Sequence, residues 1–196
     1  MIVRDFIRAP VRAIPPTLAV RLGRCRIRLL PELATSEEVA SWIRSGEDLE
    51  VRLRTDGIAP HDLALELLTC LGEALWESMA HEERVAYLRV LDEEIRSGVA
   101  GEIVDEALAA KRVLLSSPIH ARSRRRLLAY ARASFAATLA EYVHALWHDV
   151  TVRQGEEDLP PGRVRARLTM LARWFPPGSG RRLFARRNEA PGSAFN

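Results

Sequence analysis

The chain has almost no lysine and only two cysteines. Of its 29 basic residues 28 are arginine, a bias that is typical of codon usage in a GC-rich bacterial genome, and Lys111 is the single lysine. Cys25 and Cys70 are too few to build a disulfide framework. We therefore expect two free thiols and a location in a reducing cytoplasm.

Long apolar runs are also absent. No segment approaches the roughly 18 continuous apolar residues of a membrane span. The first ten residues, MIVRDFIRAP, carry charges at Arg4, Asp5 and Arg8, where a signal peptide would have its apolar centre. A chain of 196 residues with 47% hydrophobic and 28% charged residues has the composition of one soluble globular domain, without a membrane partner.

Charge is distributed unevenly along the chain, although its formal net value is only +3. Residues 1–158 contain 21 basic and 25 acidic side chains, whereas residues 159–196 contain eight arginines and one acid, Glu189. The final residues are rich in Gly, Ser, Pro and Arg, which is typical of a flexible segment. We expect one domain over residues 1–177 and a basic flexible tail over residues 178–196, whose electrostatic partner is either another molecule or the domain itself.

Alternating apolar and polar residues in the first third of the chain predict three short strands after a helix. PPTLAVRLG (15–23) begins with proline and ends with glycine, the usual asymmetry of a helix. CRIRLL (25–30), VASWIR (39–44) and LEVRLRT (49–55) follow, and the last two flank a loop of hairpin length that contains Gly46. The inward-facing residues of the last strand are Leu49, Val51 and Leu53. Such strands form a small, mostly antiparallel sheet, which needs helices on one face.

From Pro60 onward the apolar residues recur at helical spacing. The apolar stripe of residues 60–79 consists of Ala64, Leu67, Leu68, Leu71 and Leu75, with Glu66, Glu73 and Glu77 outside it. Further helices are predicted over residues 81–98, 102–115, 117–150 and 159–177. The predicted fold class is therefore α+β, with a small three-stranded sheet packed on a predominantly helical domain.

The stretch LLTCLGEALW (67–76) has the outline of a metallopeptidase helix. Many zinc peptidases have L-H-E-L-G-H-A-L-W at the corresponding place, and the order of helix, small sheet and helix resembles the core of the gluzincin-type zinc metallopeptidases. The resemblance covers roughly residues 14–80 and the later segment SFAATLAEYVHALW, and it implies a zincin-like fold. The residues that stand in place of the family's His, Glu and His are Thr69, Cys70 and Glu73.

These replacements remove the chemistry of a zinc peptidase. Zinc needs ligands that converge at about 2.0–2.3 Å, and Thr69 is a poor one. A thiol at Cys70 cannot serve as the general base for a metal-bound water. Glu73 with Glu141, the counterpart of the family's third ligand, would favour weakly held hard cations. The resemblance thus implies a catalytically inactive domain without a cofactor, which binds another protein or a peptide by strand addition beside an edge strand. The alternative is an unrelated α+β lineage in which Cys70 is a small buried hydrophobe.

Glu141, His144 and His148 form the pattern E-x-x-H-x-x-x-H. Spacings of three and four residues place these side chains on one stripe of a helix, as metal ligands require. No second ligand-rich helix accompanies the stripe, and a helix-end cap with a surface histidine pair also explains it. A helical metal site is therefore an alternative prediction.

Arginine clusters give a further alternative, an accessory protein that binds nucleic acid. Non-specific binding needs several phosphate contacts, and the candidates are Arg122, Arg124, Arg125, Arg126, Arg163, Arg165 and Arg167. The aromatic residues near them, Trp174 and Phe175, lie in an apolar helix and do not form a stacking platform. Residues 66–106 carry 11 acidic and 3 basic side chains, so we expect the arginines to pair mainly within the protein.

Overall fold

The computed structural model describes residues 3–35, 38–116, 123–148, 155 and 157–184, which form helices and one small sheet. In chain order the elements are α1 (Val3–Ala13), α2 (Pro16–Leu22), β1 (Arg24–Leu30), β2 (Ala40–Ser45), β3 (Asp48–Arg54), α3 (Pro60–Ser78), α4 (His81–Arg96), α5 (Asp105–Leu115), α6 (Arg124–His144) and α7 (Pro161–Trp174). The α+β class predicted from the sequence is confirmed. No helix in the described part of the chain has the length and apolar character needed to cross a membrane.

Strand β3 lies at the centre of the sheet, between β1 and β2. It pairs antiparallel with β2 across a tight turn, where Gly46 adopts a φ of +59°, and it pairs parallel with β1. The expectation of a mostly antiparallel sheet is corrected to a mixed sheet with one pair of each kind. The reason is the connection after β1, which crosses to the far edge of the sheet before the hairpin places β3 in the middle.

The inner face of the sheet packs on α3, as the alternation of residues in β3 predicts. Leu49, Val51 and Leu53 are at most 1% exposed, and Trp42 of β2 lies opposite Val51. Every residue of β1, in contrast, is exposed or half-buried. β1 lies at one edge of the sheet and β2 at the other.

Helices α3 and α6 form the centre of the molecule and pack against each other more extensively than any other two elements. The predicted apolar stripe of α3 is buried. Gly72 lies where the two helices cross, because a β-carbon there would come within 2.7 Å of the Ala136 α-carbon. The glycine of LLTCLGEALW thus has a packing role, which is to let two helix backbones approach each other.

Two helices differ from the sequence-based expectation. Helix α1 is not among the predicted elements, yet it buries Ile7 and Ala13 and contains Pro10. Helix α6 covers only part of the predicted residues 117–150, of which 117–122 and 149–150 lie outside the described residues.

The first residues of the predicted tail contact the domain. The Arg181 guanidinium donates a hydrogen bond of 2.7 Å to the Leu146 carbonyl oxygen. Leu183 and Phe184 pack against the core, whereas residues 185–196 lie outside the described part of the chain.

Candidate functional site

A groove of about 290 Å³ lies between the two central helices. Leu65 and Thr69 of α3 form one side, and Ala137, Ala140 and Glu141 of α6 form the other. Its remaining described lining residues are Glu102, Ile103, Val104, Asp105, Glu157, Asp158, Leu159 and Val164. Five lining residues carry a carboxylate, and none of the described lining residues is an arginine, a lysine or a histidine.

The structure brings Thr69 and Glu141 to this groove but places Glu73 elsewhere. The Glu73 carboxylate accepts hydrogen bonds from the Trp42 indole at 2.8 Å and from the Arg132 guanidinium at 3.1 Å. Arg132 precedes Glu141 by nine residues on α6, about 13 Å along the helix axis at about 1.5 Å per residue. The positions that match the gluzincin ligands therefore do not all converge on one point.

Cys70 faces the interior of the protein. It is 6% exposed, and burial raises the pKa of its thiol to about 12, with the negative charges of Glu73 and Glu66 adding to the effect. A thiol with so high a pKa is neutral at physiological pH and is a weak nucleophile. Cys70 thus has the properties of a small buried hydrophobe.

Some carboxylates of the groove have partners within the protein. Glu102 is paired with Arg167, Glu157 with Arg112, and the Asp158 carboxylate accepts a hydrogen bond of 2.7 Å from the Gly155 backbone. These carboxylates are neutralised or held in place by their partners. The negative charge of the groove therefore comes from its remaining acids.

The remaining acids have no arginine or lysine partner among the described residues. Asp105 and Glu141 line the groove, and Glu66 and Glu106 follow the lining residues Leu65 and Asp105 in sequence. Burial raises the pKa of the half-buried Glu66 carboxyl, and the negative charges of Glu106 and Asp62 raise it further. The groove and its margin therefore carry uncompensated negative charge.

Beneath the groove lies a fully buried ionic cluster that the sequence analysis does not predict. The Arg167 guanidinium of α7 donates hydrogen bonds to both Glu94 of α4 and Glu102, and all three side chains have no exposed surface. The Lys111 ammonium lies 3.5 Å from Glu102 and donates to the Gly101 carbonyl oxygen, while the Tyr130 hydroxyl donates to Glu102. Two carboxylates and two cations thus balance inside the core.

A signal for this cluster exists in the helical spacing. Glu94 follows Tyr87 and Leu91 on one stripe of α4, and Arg167 lies between Val164 and Leu171 on α7. Charged residues at core-facing positions predict buried partners for one another, because an unpaired buried charge is very costly. Their pairing in space, however, cannot be deduced from either helix alone.

The histidines of the metal alternative lie beside the groove. The Glu141 carboxylate is 3.8 Å from Nδ1 of His144, and the ring of His148 stacks on that of His144. A third imidazole, His61 of α3, contacts both rings. Within the described part of the chain, no group of three His, Cys, Asp or Glu side chains is placed so that it could hold a metal ion.

Three of the described arginines of the nucleic-acid alternative have side-chain contacts within the protein. Arg163 pairs with Glu93 at 2.8 Å, and the Arg165 guanidinium lies 4.3 Å from the centre of the Phe184 ring. Arg167 is completely buried, so its assignment as a phosphate contact is corrected. Arg124, Arg125 and Arg126 are exposed in the first turn of α6, and Arg122 lies outside the described residues.

The groove also differs from the predicted cleft beside an edge strand. Helices and loops border it, and the only β-type pairing at its margin in the described structure is an isolated bridge between Glu102 and Asp158. Neither edge strand of the sheet, β1 or β2, lines it. Strand addition is thus not a binding mode that this groove offers.

Comparisons with protein-family models, with curated proteins and with solved structures find no match to this chain. The relationship to gluzincins stays a hypothesis, and the function has to be inferred from the groove itself.

Proposed function

We propose that this protein is a non-enzymatic binding module that holds a basic segment of another protein in the groove between α3 and α6. The proposal rests on the carboxylates of Asp105 and Glu141, which line the groove and have no arginine or lysine partner among the described residues. Glu66 and Glu106, next in sequence to lining residues, add to the negative charge nearby. An arginine or lysine side chain of a partner protein would supply the missing positive charge.

The environment of Glu66 supports a cationic occupant. Burial and the nearby charges of Glu106 and Asp62 raise the pKa of the Glu66 carboxyl, which means that its ionised form is destabilised in the unliganded protein. A guanidinium or ammonium group close to these carboxylates offsets that repulsion. The attraction is electrostatic and partly exposed to solvent, so added salt should weaken it.

The apolar part of the groove suits a long basic side chain. Ala137, Ala140, Leu65 and Leu159 offer a surface for the aliphatic stem of an arginine or lysine, whose charged end then reaches the carboxylates. The volume of about 290 Å³ is near the lower limit of ligand pockets, about 300–1,000 Å³. It therefore fits one or two side chains of a peptide better than a large cofactor.

The proposal includes no catalytic step. Thr69 shares the groove with Glu141, and Glu73 is held by Trp42 and Arg132 outside it. A gluzincin ancestry is compatible with this arrangement, but the binding proposal does not depend on it.

A fluorescence anisotropy titration with a labelled arginine-rich peptide tests the proposal. The wild-type protein should bind this peptide, and the affinity should fall steeply with salt, whereas a glutamate-rich peptide of the same length should not bind. Glu141→Gln and Asp105→Asn preserve the shape of two side chains that line the groove. Each should weaken binding up to about fivefold, because a partly exposed ion pair contributes up to about 1 kcal/mol.

Glu82→Gln is the matched control, because Glu82 is an exposed acid on α4 that does not line the groove. This variant should bind the arginine-rich peptide like the wild-type protein. Equal weakening by all three variants would point to general charge attraction, and the groove would then not be the binding site.

A further inference from the structure

The backbone of β1 has hydrogen-bonding groups that the sheet does not use. Its parallel pair with β3 includes bonds from the Arg24 amide to the Glu47 carbonyl oxygen and from the Thr55 amide to the Leu30 carbonyl oxygen. Residues 24, 26, 28 and 30 therefore bond with β3, because alternate residues of a strand direct their N–H and C=O groups to opposite edges. The residues whose backbone groups point away from β3 are Cys25, Ile27 and Leu29. In the described structure, these groups have no hydrogen-bond partner.

The side chains of β1 form two rows on opposite faces of the sheet. The arginine row consists of Arg24, Arg26 and Arg28, which lie beside polar residues of β3 that alternate with the inward-facing ones. This row is therefore on the face that points away from α3. The apolar row consists of Cys25, Ile27 and Leu29, which lie beside the inward-facing residues of β3.

Positive charge exceeds negative charge on the outer face of the sheet. The strands β1 and β3 place five arginines and two acids there, which are Arg24, Arg26, Arg28, Arg52, Arg54, Asp48 and Glu50. The pairs Arg24–Asp48, at 2.8 Å, and Arg28–Glu50, at 3.2 Å, use both acids. Arg26, between them, forms no ion pair with a described residue. An acidic group beside β1 would thus meet an arginine that has no carboxylate partner.

A second copy of the chain does not suit this edge. Antiparallel pairing of two β1 strands would place their arginine rows side by side on one face, and like charges opposite each other destabilise a sheet. Charged side chains on an edge strand commonly oppose such self-pairing. A strand with acidic residues would gain attraction where a second β1 meets repulsion.

We propose that β1 binds, by strand addition, an extended segment of another protein that has acidic residues at alternate positions and apolar residues between them. Main-chain hydrogen bonds would use the free N–H and C=O groups of Cys25, Ile27 and Leu29. The acidic side chains would lie beside the arginine row and the apolar ones beside the apolar row, because directly opposite residues of neighbouring strands share a face. This edge is separate from the α3–α6 groove, which β1 does not line.

Fluorescence anisotropy with the full-length chain tests the proposal. The probe is a labelled peptide of alternating glutamate and valine with seven residues, the length of β1. The wild-type protein should bind this peptide, and salt should weaken the binding. A glutamate-rich peptide of the same length should not bind, since every second carboxylate would face the apolar row. The alternating peptide with N-methylated amides keeps the charges but loses the donors, and binding as tight as that of the unmodified peptide would overturn strand addition.

Cys25 reports where the peptide binds, because it is exposed on β1 whereas Cys70 is buried. An added strand would cover Cys25, so a saturating concentration of the alternating peptide should protect this thiol from an uncharged maleimide. A single-stranded oligonucleotide held by the arginine row would lie on the opposite face and leave Cys25 reactive. Unchanged labelling of Cys25 with the peptide present, or binding of the oligonucleotide but not of the peptide, would overturn the proposal.

Arg26→Gln removes the arginine without an ion pair and should weaken binding of the alternating peptide about two- to fivefold, as loss of an exposed ion pair does. The far-ultraviolet circular dichroism should not change, because Arg26 is exposed. Arg89→Gln is the matched control, since Arg89 is an exposed arginine of α4 that likewise forms no ion pair with a described residue. It should bind the peptide like the wild-type chain. Equal weakening by both variants, or none by Arg26→Gln, would overturn the proposal.

Discussion

Gly72 lies where α3 crosses α6, and a β-carbon on this residue would approach the Ala136 α-carbon to 2.7 Å and the Ala136 carbonyl oxygen to 3.0 Å. Both contacts involve backbone, which cannot move aside as a flexible side chain can. The glycine in LLTCLGEALW therefore has a structural explanation that requires no catalytic ancestry. It also explains why the helix tolerates a residue of low helix propensity at its centre.

Gly72→Ala should lower the free energy of unfolding by about 1–3 kcal/mol, the usual cost of overpacking a core. The direction of the change is informative. Helix propensity alone would make the alanine variant more stable by about 1 kcal/mol, because alanine is more favourable than glycine inside a helix. Gly162→Ala on α7 is the control, since a β-carbon there meets no atom within 4 Å. Urea unfolding measures both variants, and a stabilised Gly72→Ala would contradict the close approach of α3 and α6.

Arg167 holds the buried ionic cluster together through its bonds to Glu94 and Glu102. Arg167→Met should destabilise the protein by about 3–5 kcal/mol, because it leaves the buried Glu94 carboxylate without its guanidinium partner and removes one of the partners of Glu102. Arg163→Met, one turn earlier, removes an exposed pair with Glu93 and should cost less than about 1 kcal/mol. Unfolding in guanidinium chloride at neutral pH measures the free energy of unfolding of both variants. Similar losses of stability would contradict the complete burial of Arg167.

The loss of stability in Arg167→Met should depend on pH. Burial alone would raise the pKa of Glu102, but hydrogen bonds and charge from Arg167 outweigh it and lower that pKa below the ordinary value. The stability that the ionised Glu102 gains from Arg167 is therefore complete above the unfolded-state pKa of about 4.3. It is lost as the pH falls below that value. In Arg167→Met the buried carboxyls instead favour the protonated form.

The stability gap between wild type and Arg167→Met should consequently shrink as the pH falls from neutral towards 4. Unfolding curves recorded over this range test the direction of the change. A gap that widens on acidification would show that Glu102 does not depend on Arg167.

The two cysteines should differ sharply in reactivity. Cys25 is exposed on β1, whereas Cys70 is buried. Burial raises the pKa of both thiols, and it raises that of Cys70 to about 12. A soluble disulfide reagent should thus modify one thiol in the native protein and the second only after denaturation. In Cys25→Ser no rapid modification should occur, and fast labelling of this variant would place Cys70 in an open cleft.

At the scale of elements, local patterns predict most helices but not their arrangement. Helical spacing and proline boundaries indicate α2, α3 and α7 correctly, and alternation indicates the inward residues of β3. α1 is missed because Pro10 and several charges interrupt its pattern. The parallel pairing of β1 with β3 is missed because strand order depends on a crossover that no single strand encodes.

The candidate site was predictable only in part, for the same reason. The spacing of Glu141, His144 and His148 is visible in one helix, but His61 joins them only because α3 packs along α6. The partners of Glu73 are likewise long-range, since Trp42 belongs to the sheet and Arg132 to α6. Residues that act together across elements become apparent only in the folded structure.

The end of the described chain gives a prediction for the boundary of the domain. Residues 178–184 include Arg181, which donates to the Leu146 carbonyl oxygen, and Phe184, which lies under the Arg165 guanidinium. Truncation after residue 184 should leave thermal unfolding unchanged, because the removed residues lack core-forming spacing. Truncation after residue 177 should lower the free energy of unfolding by about 1–2 kcal/mol, because the contacts of Arg181 and Phe184 are lost. Equal stability of the two truncated forms would contradict this boundary.

At the scale of the whole molecule, part of the charge is neutralised by ion pairs between distant elements. Arginines reach acids of distant elements, as in the pairs Arg21–Glu83, Arg132–Glu73 and Arg163–Glu93. Asp105 and Glu141, which line the α3–α6 groove, have no arginine partner in the described structure. This contrast makes the groove the preferred candidate for recognition of a basic partner.

The location of a bound basic peptide is the most direct test of this account. Amide NMR spectra of the ¹⁵N-labelled protein, recorded with and without the arginine-rich peptide, report which residues change their environment. We predict the largest shifts in residues 65–69, 102–106 and 137–141, which surround the groove. Shifts confined to β1 and its arginines, or no shifts at peptide concentrations that saturate an electrostatic site, would contradict the assignment of the groove as the binding site.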